Sequence, residues 1–309
     1  MNRRKFGQLV GATAFGGAFL GAGAQSTNPI TVVKLKSPPL APFAPAPRFS
    51  CEIAQLRLNS FDQCVDIMAE AGYQGVELTG YFQKWAPEEQ RRILAMMRSK
   101  GVVIDMISGL QASFAIPDQS EDFITKLTAH CLIAKALECP QINVKSGKRL
   151  DGVDPKVQFA AAVDNLKRAS DVADKNGINL VMEPIDLIEN PTIFLTSVKD
   201  GFEIVRAVDR PNVKVLYDFY HEQRAGGNLI EKLEKNIDWV GLVHIADVPG
   251  RHEPGTGEIN YANIYRTLGR LHYSRFIAME YGPTGDPVAS LRKAREDAQQ
   301  ALAEGGRAG

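Results

Sequence analysis

From Phe49 onward two hydrophobic rhythms alternate along the chain. Short runs, apolar at nearly every position, are separated by longer segments whose apolar residues recur at helical spacing. The runs are CEIAQLRL from Cys51, GVEL from Gly75, VVIDMI from Val102 and QINVK from Gln141, followed by INLVME from Ile178, VKVLYD from Val213, WVGLVHI from Trp239 and FIAMEY from Phe276. The amphipathic segments are 61–71, 87–99, 121–137, 154–176, 196–208, 228–235, 262–271 and 287–303. Gly72, Gly101 and Gly177 stand just past three of these segments, where a left-handed residue closes a helix. Near-continuous apolar strands alternating with helices predict a parallel sheet covered on both faces. Eight such units predict one (β/α)8 TIM barrel over residues 49–309. No Gly-rich phosphate loop follows the first strand, which weighs against the alternative, an open doubly wound sheet.

The first 48 residues break this rhythm. Arg3, Arg4 and Lys5 precede an uncharged Gly/Ala-rich stretch that closes on Ala22-Gly23-Ala24, an A-x-A cleavage candidate. The stretch is short and only mildly apolar for a membrane span. Residues 1–24 are therefore expected to be a twin-arginine signal peptide, sending the protein to the periplasm or outside the cell. A membrane anchor or a frayed cytosolic N-terminus is the alternative; after cleavage no membrane association is expected. Residues 25–48 carry six of the 17 prolines and are expected to form an extended linker.

Composition narrows the function classes. With 44% hydrophobic and 23% charged residues the chain falls in the ordinary globular range. Lys+Arg and Asp+Glu number 36 each, so no basic field invites nucleic acid. Loss of Arg3, Arg4 and Lys5 with the signal would leave 33 positive against 36 negative groups. Cys51, Cys64, Cys131 and Cys139 form no CxxC pair and are expected to be buried free thiols, with a disulfide as the alternative.

The last four strands each end on a polar residue: Glu183, Asp218, His244 and Glu280, spaced 35, 26 and 36 residues apart. In a barrel of this kind strand ends build the active face. Any one of these residues alone would be an ordinary surface or structural group. Together they bring three carboxylates and one imidazole to one rim, and converging carboxylates repel unless a cation joins them. Three oxygens and one nitrogen suit one divalent cation, Mn, Mg or Co, over a structural zinc. His221 lies three residues past Asp218. The loop after the seventh strand adds Asp247, Arg251, His252, Glu253 and Glu258. His221, Arg251 and Glu258 are candidate substrate contacts. A loop salt bridge from Arg251 to Glu253 or Glu258 is the alternative, and His252 and Glu253 are expected to order the loop. Lys145, Lys148 and Arg149 follow the fourth strand and either face substrate or are solvated.

The segments AGYQGVEL, CPQINVKSGKR, VMEPID, YDFYHEQ, HIADVPGRHEPGTGEINY and FIAMEYGP resemble the xylose isomerase-like TIM-barrel superfamily, and within it the hydroxypyruvate isomerase family. The resemblance implies that Glu183 and Glu280 bind the metal and exchange protons with substrate. It also implies that Asp218 and His244 complete the ligand set and that His221 and Arg251 help hold the substrate. At the position of His244, hydroxypyruvate isomerases often carry Gln and the related ketose 3-epimerases carry His. The expected reaction is isomerisation of a small hydroxy-carbonyl or sugar substrate through an enediolate. Ketose 3-epimerisation, a dehydratase and a non-catalytic sugar-binding module stay open as alternatives. A three-zinc endonuclease would need more imidazoles than five histidines supply. Exposed helix faces leave room for a homo-oligomer.

Overall fold

Strand register decides the architecture. The computed structural model describes residues 46–58 and 60–308. Its strands are β1 (Arg48–Glu52), β2 (Gly75–Thr79), β3 (Val103–Ser108), β4 (Gln141–Val144), β5 (Asn179–Met182), β6 (Val213–Asp218), β7 (Val240–Ile245) and β8 (Phe276–Met279). Each pairs in parallel with the next, and β8 returns to β1 with Arg48 opposite Phe276 and Cys51 opposite Met279. The ring is the expected (β/α)8 barrel. Around it run α1 (Phe61–Ala71), α2 (Pro87–Lys100), α3 (Ser120–Ala136), α4 (Pro155–Asp174), α5 (Val198–Val208), α6 (Phe219–Ala225), α7 (Leu229–Glu234), α8 (Tyr261–Arg270) and α9 (Pro287–Ala308). Gly72 and Gly101 cap α1 and α2 at φ 81° and 70°. Among the described residues no helix is long and apolar enough to cross a membrane.

Alternation along the strands sorts the core into two parts. Leu180, Met182, Val215, Tyr217, Val243, Ile245, Ile277 and Met279 belong to the main cluster that also contains the helix residues. Their neighbours Val181, Leu216, Leu242 and Ala278 form a separate buried cluster with Met106 and Phe276. Successive strand side chains point to opposite faces, so this second cluster plugs the barrel interior. Two residues further on, the same inward face delivers Glu183, Asp218, His244 and Glu280. The plug thus forms the dry floor of the polar layer above it.

Three departures from the sequence pattern have a physical reason. The first strand begins at Arg48, and Ile53–Leu56 turn into a 3-10 helix that still buries Ile53 and Leu56. Apolarity there continues past the end of the strand. Helix α6 was absent from the periodic segments, because seven residues are too few to show a period. Helix α9 runs on past Ala303 through Gly305 and Gly306. A Cβ on Gly305 would lie 1.9 Å from the carbonyl oxygen of Arg266, and one on Gly269 would lie 2.1 Å from that of Leu302. Glycine is needed where α8 and α9 touch backbone to backbone. All four cysteines are buried and free. The expected signal peptide and all of the expected linker before Ala46 lie outside the described residues.

Candidate active site

Asp218 ends β6 and caps α6. Its Oδ1 accepts the N–H groups of Tyr220 and His221 at 2.7 and 3.2 Å, and its Oδ2 faces the barrel mouth. The cap places His221 in the first turn of α6, where it is buried. Its Nδ1 meets Asp186 Oδ2 at 2.7 Å, which turns Nε2 to within 3.5 Å of Asp218 Oδ2 and 3.7 Å of Glu183 Oε1.

One ligand atom each from Glu183, Asp218, His244 and Glu280 lies within 4.8 Å of the others. His244 Nδ1 is 2.5 Å from Glu280 Oε2 and 4.0 Å from Asp218 Oδ2. Burial opposes charge on Glu183, but the Lys145 ammonium pairs with its Oε2 and the pKa is held at about 2. Asn143 Nδ2 donates to the same oxygen at 2.8 Å. Burial likewise opposes charge on Glu280, and His244 with Arg251 outweighs it, holding the carboxyl well below its ordinary value. Asp218 goes the other way, raised mainly by burial. For His244 the ring loses solvation, yet Glu77 and Glu280 raise its pKa well above the ordinary value. The donor set fits a divalent cation: hard oxygens and one imidazole on a rigid rim.

Arg251 is set by the loop after β7. Buried Asp247 accepts the N–H groups of Val248 and Ile259 on Oδ1 and those of Gly255 and Gly257 on Oδ2. Arg251 sits in this folded loop at φ 56°, a left-handed conformation that costs a non-glycine residue free energy. Its Nη2 reaches Glu280 Oε2 at 2.8 Å and Asp218 Oδ2 at 3.3 Å. Its Nη1 meets Glu189 at 2.8 Å, and no pairing with Glu253 or Glu258 is found among its contacts. Glu258 is exposed, and the partner of its side chain is Gln223 on α6 at 3.1 Å, so it is not drawn into the cluster. His252 bonds the Gly282 carbonyl oxygen and Glu253 bonds Thr284, the ordering roles expected of them.

Four neighbours of the site were missed or left undecided in the sequence. Glu77 on β2 is fully buried, with Oε2 2.9 Å from His244 Nε2. Lys145, left undecided, points inward to Glu183, and Asn143 stands beside it. Glu189 arrives from the loop after β5. A mid-strand charge in an apolar run was the available signal for Glu77; nothing marked Glu189. Asp186, Glu189 and His221 also approach one another closely enough to ligate, but Arg224 contacts both carboxylates and Arg251 the second, which disfavours a cation there.

Burial, then Glu280 and Glu77, push the Glu52 carboxyl on β1 up to about 8. A raised carboxyl stays protonated in the fold while the unfolded chain ionises, so stability falls as pH rises from about 4.5 towards 8. Glu52→Gln is expected to remove a slope of roughly 1.4 kcal/mol per pH unit in that window. Urea unfolding of parent and variant at pH 5.5 and 8 checks it; parallel curves would refute it.

A family model described as xylose isomerase-like TIM barrel matches residues 65–304. The hydroxypyruvate isomerase of Escherichia coli (strain K12) is 31% identical over 252 residues, covering 79% of this chain and 97% of that protein. The 2-oxo-tetronate isomerase of Pectobacterium atrosepticum is 30% identical over 244 residues, covering 77% and 93%. A crystal structure titled AP endonuclease, family 2, from Brucella melitensis superposes with a TM-score of 0.73 at 27% identity, covering 79% of this chain and 96% of that one.

Proposed function

Because the chain belongs to the xylose isomerase-like TIM-barrel family, we propose that it is a divalent-metal-dependent isomerase of a small hydroxy-carbonyl substrate. The observation that carries this reading is the pair Glu183 and Glu280. Both stand on the cluster and both are held ionised, from opposite flanks of Asp218 and His244. Glu183, Asp218, His244 and Glu280 would hold the cation. Bound there, it would polarise adjacent carbonyl and hydroxyl oxygens and acidify the C–H between them. One glutamate takes that C–H proton while the other, ionised at the start, takes the hydroxyl proton; the second then delivers its proton to the neighbouring carbon and the first gives its own to the former carbonyl oxygen. Lys145 and Arg251 put fixed positive charge beside the two glutamates, and His221 offers Nε2 to a substrate oxygen. The names of the Escherichia and Pectobacterium relatives support isomerisation. The Brucella title is not carried over: His130 packs edge-on to Phe82 in the core and His272 closes α8, which leaves few imidazoles for a multi-metal centre. The proposal includes export by the twin-arginine signal.

Proton NMR in D2O with Mn2+, hydroxypyruvate and a panel of ketoses tests the function, with Glu183→Gln as the blank. Deuterium in a new isomer is expected, and the labelled carbon separates aldose-ketose exchange from C3 epimerisation. No exchange from any compound would overturn the reading.

Glu77 is assigned to orienting His244 from behind, so that Nδ1 faces the cluster. Outer partners of this kind typically matter 10–100-fold in metal affinity. Glu77→Gln is expected to weaken Mn2+ binding by about that factor in calorimetric titration. Unchanged affinity would remove Glu77 from the centre.

A further inference from the structure

Two sunken guanidinium groups beside the centre hold one surface carboxylate between them. Arg251 and Arg224 both lie over the Tyr220 ring, 5.0 and 4.8 Å from its centroid. Their side chains are 16% and 15% exposed, whereas Glu189 is 39% exposed. Both oxygens of Glu189 contact Arg251 Nη1, at 2.8 and 3.1 Å, and one lies 3.5 Å from Arg224 Nη1. His221 Nε2 is 4.0 Å from the other. Arg251 meanwhile gives Nη2 to Glu280, so one guanidinium joins Glu189 to the proton-transfer centre.

The loop that carries Glu189 is tied at its base. Asp186 Oδ1 accepts the backbone N–H groups of Ile188 and Glu189 at 2.9 and 3.1 Å. Releasing the Glu189 carboxylate therefore needs one side chain to rotate into solvent, without a movement of the backbone. A half-exposed ion pair is weak, so an incoming anion with two oxygens can replace it. An uncharged sugar brings no charge with which to displace Glu189, and a cation would be repelled by both guanidinium groups.

We infer that Arg251 and Arg224 form the subsite for the carboxylate of a 2-oxo acid, and that Glu189 fills it as an internal competitor until the substrate arrives. The inference rests on the isomerase reading for its choice of acid. Planar guanidinium forks match a carboxylate, and the Tyr220 ring keeps both in place. The metal cluster then lies along the substrate from its charged end, with Arg251 touching both.

The test is calorimetric titration of the Mn2+-supplemented protein and its Glu189→Gln variant with pyruvate and with hydroxyacetone. Pyruvate carries the 2-oxo acid without an isomerisable hydroxyl, and hydroxyacetone lacks the charge. The variant is expected to bind pyruvate about three- to tenfold more tightly and hydroxyacetone with unchanged affinity. Arg224→Gln is expected to weaken pyruvate alone. Equal tightening of both ligands, unchanged or weaker pyruvate binding in Glu189→Gln, or no pyruvate binding by either protein would overturn the subsite. If hydroxypyruvate is turned over while Glu189→Gln shows no tightening, the subsite fails and the isomerase stands. If pyruvate tightens but no compound exchanges protons in D2O, the subsite stands without the isomerase.

Discussion

Glu280→Gln and Glu183→Gln are each expected to lower kcat by about 10²–10⁴-fold, the usual contribution of a positioned acid or base. The amide keeps the size of the side chain and one ligating oxygen, so the pocket stays filled while the proton acceptor is gone. Each position is held by several partners: Lys145 and Asn143 at Glu183, His244 and Arg251 at Glu280. The fold should therefore tolerate either change, and circular dichroism of both variants is expected to match the parent. Because the two glutamates serve one proton transfer, the double amide should fall little below the worse single variant. Single-turnover exchange in D2O measures all three. Activity within tenfold of the parent in both single variants would take the glutamates out of the reaction.

Removal of divalent metal is expected to abolish turnover and leave the barrel folded. Small metal-nucleated domains unfold when chelated, because their ligands meet only around the ion. Here the four residues extend from strands already paired, above an apolar plug that needs no ion. Lys145 and Arg251 also pair with Glu183, Asp218 and Glu280, which tempers carboxylate repulsion without a cation. Return of Mn2+ at about 100 times its Kd should add roughly 2.7 kcal/mol and raise Tm by about 5–10 °C. Far-UV circular dichroism, melting curves and activity before and after dialysis against a chelator decide it. Loss of helical signal on chelation would mean that the ion organises the barrel.

Much of this site was legible because burial of charge is costly. A carboxylate or imidazole closing an apolar strand needs a reason, and four of them one unit apart pointed to one rim. The same argument applied to Glu77, but it sits inside GVELT instead of at a strand end, and its partner His244 is on β7. Arg251 stood out as a chemical type, while its partner Glu189 lies 62 residues away in a loop without periodicity. Asp218 illustrates a different limit: one oxygen caps a helix too short to be seen in the sequence pattern, and only the other faces the site. The first strand was misplaced for a packing reason, since Ile53 and Leu56 bury in a turn as fully as strand residues would.

The β1–β8 seam has a consequence for the order in which the molecule can mature. Its pairing joins Phe49 to Ile277, so the ring stays an open sheet until nearly the whole chain has left the ribosome. Until then β1 and the last completed strand present free edges, and loop closure over such a separation is entropically slow. The nascent chain thus spends its synthesis time in a form that invites capture by chaperones. A stop codon ahead of Phe276 should yield insoluble product, and not a shortened but folded protein.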